Sequence, residues 1–253
     1  MKRTILIDGD IIAYQIAASE QKAVHWGGDF WSVWADAGPA KVAVEDRIES
    51  LKETLEADEA IVAISDPDEN FRKDIFHKYK SNRDDKAKPF LLPVLKEWML
   101  EEFKSFMRPK LEADDVLGIL ATSKNIVKGE KIIVSMDKDL DTVPGLHFNF
   151  GKPEFGIYLV SEEEAALKHM TQTLTGDTTD GYPGCPGIGP VKAERLLDGL
   201  TSYKEMWPVV VEAFEKAKLS EEEALVQAQI ARICHASDYN FKKKEVKPWH
   251  PPK

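Results

Sequence analysis

The sequence predicts an α/β protein built on a mostly parallel, twisted sheet flanked by helices, and two observations predict it. Three short apolar runs, at residues 4–7, 60–65 and 131–135, read as strands buried on both faces, and the chain between them carries helical spacing. Each run ends in acid, at Asp8, Asp66 and Asp137. Ligand crevices of open α/β sheets lie beyond the carboxyl ends of the strands. One acid in that position is unremarkable; three of three describe a site.

A fourth acidic group stands in LEADDVLG (residues 111–118), where Glu112, Asp114 and Asp115 precede Val116, Leu117, Ile119 and Leu120. A helix that is apolar on every side packs into the interior. Its dipole welcomes an anion in the first turn, which accounts for one or two of the three carboxylates. Crowding all three at the mouth of a buried helix calls for a cation among them.

The chain has 253 residues, enough for a catalytic α/β domain, expected at 1–160, with a smaller helical region at 161–253. Hydrophobic content of 43% and charged content of 31% describe a globular protein. Residues 5–7 are too short for a signal-peptide apolar core, and no run is long enough to span a bilayer, so a cytoplasmic protein without membrane contact is expected. Cys185 and Cys234 suggest neither a disulfide framework nor a metal pair, which fits a reducing compartment. Net charge is −10, on its face unfavourable to a nucleic-acid partner. Its distribution matters more: residues 72–110 hold eleven Lys/Arg against six Asp/Glu, and the chain from Ala236 holds five lysines against two acids.

Taken in order, Asp10 is expected to cap a helix starting at Ile11. Trp26, Trp31 and Trp34, set among glycines in residues 20–38, offer stacking faces for bases, but packing over the sheet is their expected role. A helix is predicted over 39–57, with Val42, Ile48, Leu51 and Leu55 on its apolar face. Residues 71–83 interleave Arg72, Lys73, Lys78, Lys80 and Arg83 with Phe71, Phe76 and Tyr79, the pattern of a segment that grips phosphates; Arg72 and Tyr79 are candidate DNA contacts. A helix to about residue 106 follows Pro89 and Pro93. Residues 136–141 hold Asp137 and Asp139, weaker strands are expected near 147–149 and 156–160, and Ser161 with Glu164 forms a capping box. The Gly/Pro-rich stretch 176–190 contains Asp177 and Asp180 and runs into a short helix carrying Lys192 and Arg195. Glycines there expose backbone N–H groups to a phosphate, and a tight turn between helices is compatible with that role. Two more helices are expected, near 201–217 and 220–236.

The acids Asp8, Asp66, Glu112, Asp114, Asp115, Asp137, Asp139, Asp177 and Asp180 amount to nine of the ten net negative charges. If they converge, repulsion forbids the cluster without cations. Carboxylates unaccompanied by His or Cys select hard ions such as Mg²⁺ or Mn²⁺, and a pair of these suits in-line phosphodiester hydrolysis. Lys80 and Arg83 would stabilise charge on the phosphate. A glycosidase needs only two carboxylates and is the poorer reading.

The motifs LIDGD, YKSNR (79–83), LEADDVLG, SMDKDL (135–140), GDTTDGYPG (176–184) and PGIGP (186–190) occur in an order that resembles the 5′-nucleases: flap endonucleases, polymerase-associated 5′–3′ exonucleases and their phage relatives. The segment ARICHASDYNF (231–241) looks most like the short podovirus-type phage exonucleases. The resemblance implies a PIN-like (resolvase-like) domain with a basic helical arch at 67–110 and a helix–three-turn–helix element, similar to a helix-hairpin-helix, at 176–199. It implies a first metal site of Asp8, Asp66, Glu112, Asp114 and Asp115, and a second of Asp137, Asp139, Asp177 and Asp180. Lys80 and Arg83 match basic residues at the base of the arch. Gly187, Gly189, Lys192 and Arg195 would hold duplex backbone, with K⁺ at the Gly187–Gly189 turn. Two departures stand out: the lysine of the family's GIGPKTA is displaced by one residue to Lys192, and Gly181 replaces a common Asn. The expected protein is a monomeric, two-Mg²⁺ (or Mn²⁺) 5′-nuclease acting on DNA with a 5′ end or flap, and on RNA–DNA hybrids, in phage replication, recombination or primer removal. A catalytically silent DNA-junction-binding protein and a PIN-like ribonuclease are the alternatives.

Overall fold

The computed structural model describes residues 2–83 and 87–252. The chain opens with β1 (Arg3–Asp8), α1 (Gly9–Glu20), a hairpin of β2 (Lys22–Gly27) and β3 (Phe30–Trp34), and α2 (Ala37–Thr54). Next come β4 (Glu59–Ala63), α3 (Phe71–Ile75), α4 (Leu92–Glu102), β5 (Ser105–Phe106), α5 (Ala113–Thr122), β6 (Glu130–Val134), β7 (Gly145–Phe148) and β8 (Ile157–Val160). Four helices follow: α6 (Glu162–Thr175), α7 (Pro190–Leu197), α8 (Tyr203–Lys216) and α9 (Glu221–Ala231). The main sheet has the order β5–β4–β1–β6–β7–β8, parallel except for β8, which pairs antiparallel with β7.

The three apolar runs are the sheet's centre, with Leu6 flanked in register by Ile61 and Ile133. Alternation along β1 serves both faces. Ile5 and Ile7 pack with Ile12 and Ile16 of α1, Val44 and Ile48 of α2, and Leu95 and Met99 of α4. Leu6 points the other way, into Leu117 and Leu120 of α5. As expected of its composition, α5 is buried around most of its circumference. The chain beyond α9 returns to that second face, where Ile233, Cys234 and Tyr239 join the core. A Cβ on Gly118 would lie 2.4 Å from the Cys234 carbonyl oxygen, so only glycine lets the returning chain close on α5. Helices α6 to α9 enclose a separate cluster that includes Met170, Leu174, Ala193, Met206, Phe214 and Ala228.

Several expectations are corrected here. The second helix starts at Ala37 behind an Asp36 cap, and Ala40, Val44, Ile48 and Leu51 are buried while Val42 is exposed. A 3.6-residue period places Val42 across the helix from that stripe. The helix expected to reach residue 106 stops at Glu102, because Ser105 and Phe106 pair with Val62 and Ala63. The tryptophans of 20–38 do not lie over the sheet: both of its faces are already covered by helices, and the β2–β3 hairpin stands in solvent.

Candidate functional site

A cavity of about 660 Å³ opens beyond the carboxyl ends of β1, β4 and β6. The strand order reverses here: the chain leaves β1 for β4 and β5 on one side, then returns to β6 and β7 on the other. That is where α/β sheets bind ligands. Asp8, Asp66, Glu112, Asp114, Asp137, Asp139, Asp177 and Asp180 all line the cavity, as do Lys80 and Arg83.

Asp8, at the end of β1, is almost wholly buried. One of its oxygens accepts the Ile11 N–H at 3.1 Å, making Asp8 the cap of α1, and the other accepts the Ser135 hydroxyl at 2.8 Å. The role expected of Asp10 therefore belongs to Asp8. Asp10 itself lines the cavity, accepting the Ser65 N–H at 3.2 Å and pairing with Lys96 at 3.0 Å. Asp137 caps the 3₁₀ turn of residues 138–142 by accepting the Asp139 N–H at 2.8 Å. Asp177 accepts the N–H groups of Thr179 (2.6 Å) and Asp180 (3.2 Å), which turns the Gly-rich loop back towards the pit.

At the mouth of α5 the acids divide. Glu112 faces the cavity, held by the Lys80 ammonium, by Arg72 at 3.0 Å and by the Tyr79 hydroxyl at 2.9 Å. Asp115 turns inward and has no exposed surface. It forms a two-pronged ion pair with Arg72 (2.7 and 2.8 Å) and accepts the N–H groups of Glu112 and Cys234. This corrects two expectations at once. Asp115 is closed off as a metal ligand, and Arg72 is closed off as a DNA contact, because its remaining donors go to the carbonyls of Ile230 and Arg232. Tyr79 is corrected too: it is buried, and its hydroxyl reaches both Glu112 and Asp180 (3.0 Å). Asp66 borders the cavity, yet its oxygens accept backbone N–H groups of Asp68 and Lys110, which ties the loop after β4 to the approach to α5.

Lys80 and Arg83 come to the acids through an unusual backbone. Lys80 adopts a left-handed conformation (φ 56°), and its N–H donates to the Asp180 carbonyl at 2.7 Å. Its ammonium lies 3.7 Å from the Asp180 carboxylate as well as on Glu112, and the Arg83 guanidinium holds the other Asp180 oxygen.

The electrostatics describe a pit short of positive charge. Burial, then the charge of Asp10, pushes the Asp8 carboxyl up to about 7 despite its two hydrogen bonds. Burial and the charges of Asp8 and Asp137 hold Asp114 well above the usual carboxylate range. Burial with Asp137 and Asp177 pushes Asp139 up to about 6. Asp137, expected in the second set, thus also borders the first. For Glu112, burial is outweighed by Lys80 and Arg72, which hold it down at about 2. One oxygen of Asp139 is buried with no hydrogen-bond partner. Among the described residues, no three His, Cys, Asp or Glu side chains meet closely enough to enclose an ion as they stand. The donor set nevertheless fits a hard cation: all oxygen, crowded, with an orphaned carboxylate oxygen and raised affinities for protons that a metal would replace.

Away from the pit, the 176–189 loop crosses itself so tightly that a Cβ on Gly184 would lie 2.2 Å from the Gly176 nitrogen. Part of this glycine content is therefore steric, leaving Gly187 (φ 76°) and Gly189, the N-cap of α7, as the candidate phosphate turn. Lys192 and Arg195 are exposed on α7, and the Lys192 ammonium reaches the Gly187 carbonyl at 3.4 Å.

Asp10, Lys96 and Ser135 were missed as site residues. The signals were present: an acid two positions after Asp8, and a serine directly before the acids that follow β6. Nothing local marked Lys96, which reaches the pit because α4 packs on α1.

Fold and site together define a resolvase-like α/β domain whose strand ends meet in a carboxylate pit answered by a basic segment. Residues 3–147 match the family model of the 5′-3′ exonuclease N-terminal resolvase-like domain, and the chain belongs to that family. It is 30% identical to the exonuclease of Escherichia phage T7, over 99% of this chain and 94% of that protein. It is 31% identical to the flap endonuclease Xni of Shewanella halifaxensis, over 66% of this chain and 68% of that protein. The bacteriophage T5 5′-exonuclease solved with zinc superposes with a TM-score of 0.68 over 91% of this chain and 89% of that one. At 16% identity, that likeness is one of fold.

Proposed function

We propose that this chain is a divalent-metal-dependent, structure-specific 5′-nuclease that hydrolyses phosphodiester bonds at DNA 5′ ends and flaps. The observation that carries the reading is the pairing of Lys80 and Arg83 with Glu112 and Asp180 inside an acid-lined cavity at the sheet's switch point. A scissile phosphate needs both partners, cations for its own charge and carboxylates for the ions that attend it. Two Mg²⁺ (or Mn²⁺) ions would be held by Asp8, Glu112, Asp114, Asp137, Asp139, Asp177 and Asp180, with Asp66 at the edge. When bound, such ions activate water and stabilise the leaving oxygen.

The chain's own residues do the rest. Ser135 orients Asp8, Tyr79 orients Glu112 and Asp180, and Asp115 with Arg72 holds the start of α5. Lys80 and Arg83 meet the phosphate, and Gly187, Gly189, Lys192 and Arg195 grip duplex backbone farther off. K⁺ at the Gly187–Gly189 turn would compete with the Lys192 ammonium for the Gly187 carbonyl. The catalytic part is residues 1–160, with the arch at 67–110, and DNA is held by 161–253. The protein acts as a monomer in the host cytoplasm, on DNA and on RNA–DNA hybrids, in phage replication, recombination or primer removal.

A 5′-labelled flap substrate incubated with Mg²⁺, Mn²⁺ or EDTA tests the reading. Metal-dependent products cut at or near the 5′ end are expected. Tight binding without cleavage would establish the silent junction-binding alternative, and cleavage of RNA alone the ribonuclease one.

A further inference from the structure

The β2–β3 hairpin carries an aromatic surface that the nuclease chemistry does not use. Trp26, Phe30, Trp31 and Trp34 are 66, 67, 58 and 56% exposed, and every residue of β2 is exposed. Strand alternation and register set Lys22, Val24, Trp26, Phe30, Ser32 and Trp34 on one face, with His25, Trp31 and Val33 on the other. The rings are held, not loose. The Trp26 indole N–H donates to the Ser32 hydroxyl at 2.8 Å, the Lys22 ammonium lies 5.6 Å from the Trp34 ring centroid, and His25 stacks on Trp31 at 4.3 Å. A two-stranded ribbon is marginal in water by itself, and these aromatics bury little within the chain.

Two observations identify what they meet. The first is continuity with the acid cavity. Lys88 lines the cavity, and two residues on, Phe90 is 70% exposed and donates its backbone N–H at 2.8 Å to Gln21, the residue that leads into β2. A strand leaving the pit past Lys88 would reach Phe90 and then the hairpin. The second is the kind of surface on offer. Lys22 and Asp29 are the hairpin's formal charges and cancel, so it attracts neither phosphates nor a charged peptide. Trp26, Phe30 and Trp34 share one face with the polar Lys22 and Ser32 set among them, and Trp31 projects from the other, so the rings stand apart along a narrow ribbon instead of merging into one apolar patch of the kind a protein partner covers. Unpaired bases match such separated π-faces one at a time, and bases stacked inside a duplex do not.

We propose that the β2–β3 hairpin is a stacking platform for the unpaired 5′ strand of the DNA substrate, outside the catalytic cavity. The proposal rests on the nuclease reading for the identity of that substrate.

The test replaces Trp26, Phe30, Trp31 and Trp34 together by alanine. Affinity for DNA with a long unpaired 5′ arm should fall by about tenfold or more, the scale of one lost base–aromatic stack. Affinity for blunt duplex, its cleavage and the melting temperature should stay as in the wild type. The slope of log affinity against log salt should also hold, because no phosphate contact is removed. In EDTA, oligo-dT should quench the tryptophan fluorescence of the wild type and leave that of the variant unchanged, although Trp98, Trp207 and Trp249 remain. Should the fourfold variant melt lower, Trp34→Ala alone carries the same expectations with a smaller loss. Equal affinity of variant and wild type for the armed substrate overturns the proposal and leaves the surface to a protein partner; so does an equal loss on blunt duplex. Quenching by oligo-dT from a wild type that cleaves nothing would support the platform while sinking the nuclease reading.

Discussion

The Ser135 hydroxyl donates to Asp8 at 2.8 Å and accepts the Asp137 N–H at 3.1 Å, joining the acids at the ends of β1 and β6. Removing it as Ser135→Ala takes from Asp8 a hydrogen bond that favours its charged form. Groups that orient a ligand in this way are worth roughly 10- to 100-fold in metal affinity or activity. The Mg²⁺ concentration for half-maximal cleavage should rise on that scale while the protein stays folded. An unchanged Mg²⁺ titration would remove Ser135 from the site.

Asp137→Ala and Asp180→Ala should abolish cleavage and leave binding to flap DNA intact, since each removes a candidate ligand and a charge that repels phosphate. Wild-type turnover of either variant at ordinary Mg²⁺ would contradict the two-ion arrangement.

Lys80 and Lys192 should separate. Lys80 is in the pit, on Glu112 and near Asp180, and a contact that strengthens in the transition state changes turnover. Lys80→Ala should lower the single-turnover rate at saturating DNA by ~10²-fold or more. Lys192, exposed on α7, should on replacement weaken affinity and flatten the salt dependence by about one phosphate contact. Rates and salt titrations on both variants decide it; the reverse pattern would exchange their places.

The metal-free protein should lose stability as pH rises from about 4 to about 7. Burial and neighbouring charge raise Asp8 to about 7 and Asp139 to about 6, so the folded state binds more protons than the unfolded chain between the ordinary carboxylate range and those values. Stability then falls with pH across that window. Glu112, held at about 2, contributes the opposite slope, between that value and its ordinary 4.5. Mg²⁺ should flatten the dependence and raise the melting temperature, by an amount that grows with its excess over Kd. Melting curves in EDTA and in Mg²⁺ that coincide at every pH would mean the acids do not share a cation.

Asp115→Asn and Asp114→Asn should part in the opposite sense from their neighbouring positions. The first takes from buried Arg72 its two-pronged counter-charge and leaves it the single contact with Glu112, at about 3–5 kcal/mol, or roughly 6–20 °C in melting temperature at this chain length. The second relieves repulsion with Asp8 and Asp137, so in EDTA the protein should melt no lower while cleavage is lost. Calorimetry of the two variants checks this, and a stable Asp115→Asn would return Asp115 to the list of ligands.

Much of this protein was determined by its sequence alone. Buried parallel strands must be apolar along their length and must end at the crevice, so β1, β4 and β6 and their terminal acids can be read without a structure. The capping box at Ser161 and the buried character of α5 are likewise local properties, set by spacing. The tertiary structure decided what identical side chains do in different company. Asp114 and Asp115 are adjacent, yet one faces the pit and the other an arginine, because successive helical residues point about 100° apart and Arg72 comes from another segment. Arg72 and Tyr79 look like surface charge and stacking groups in a basic run, and only the last turn of α9, with Arg232 just beyond it and Tyr182 of the Gly-rich loop, buries them. The tryptophans reverse the case: hydrophobicity alone assigns them to a core, but whether a core has room depends on which helices already cover the sheet.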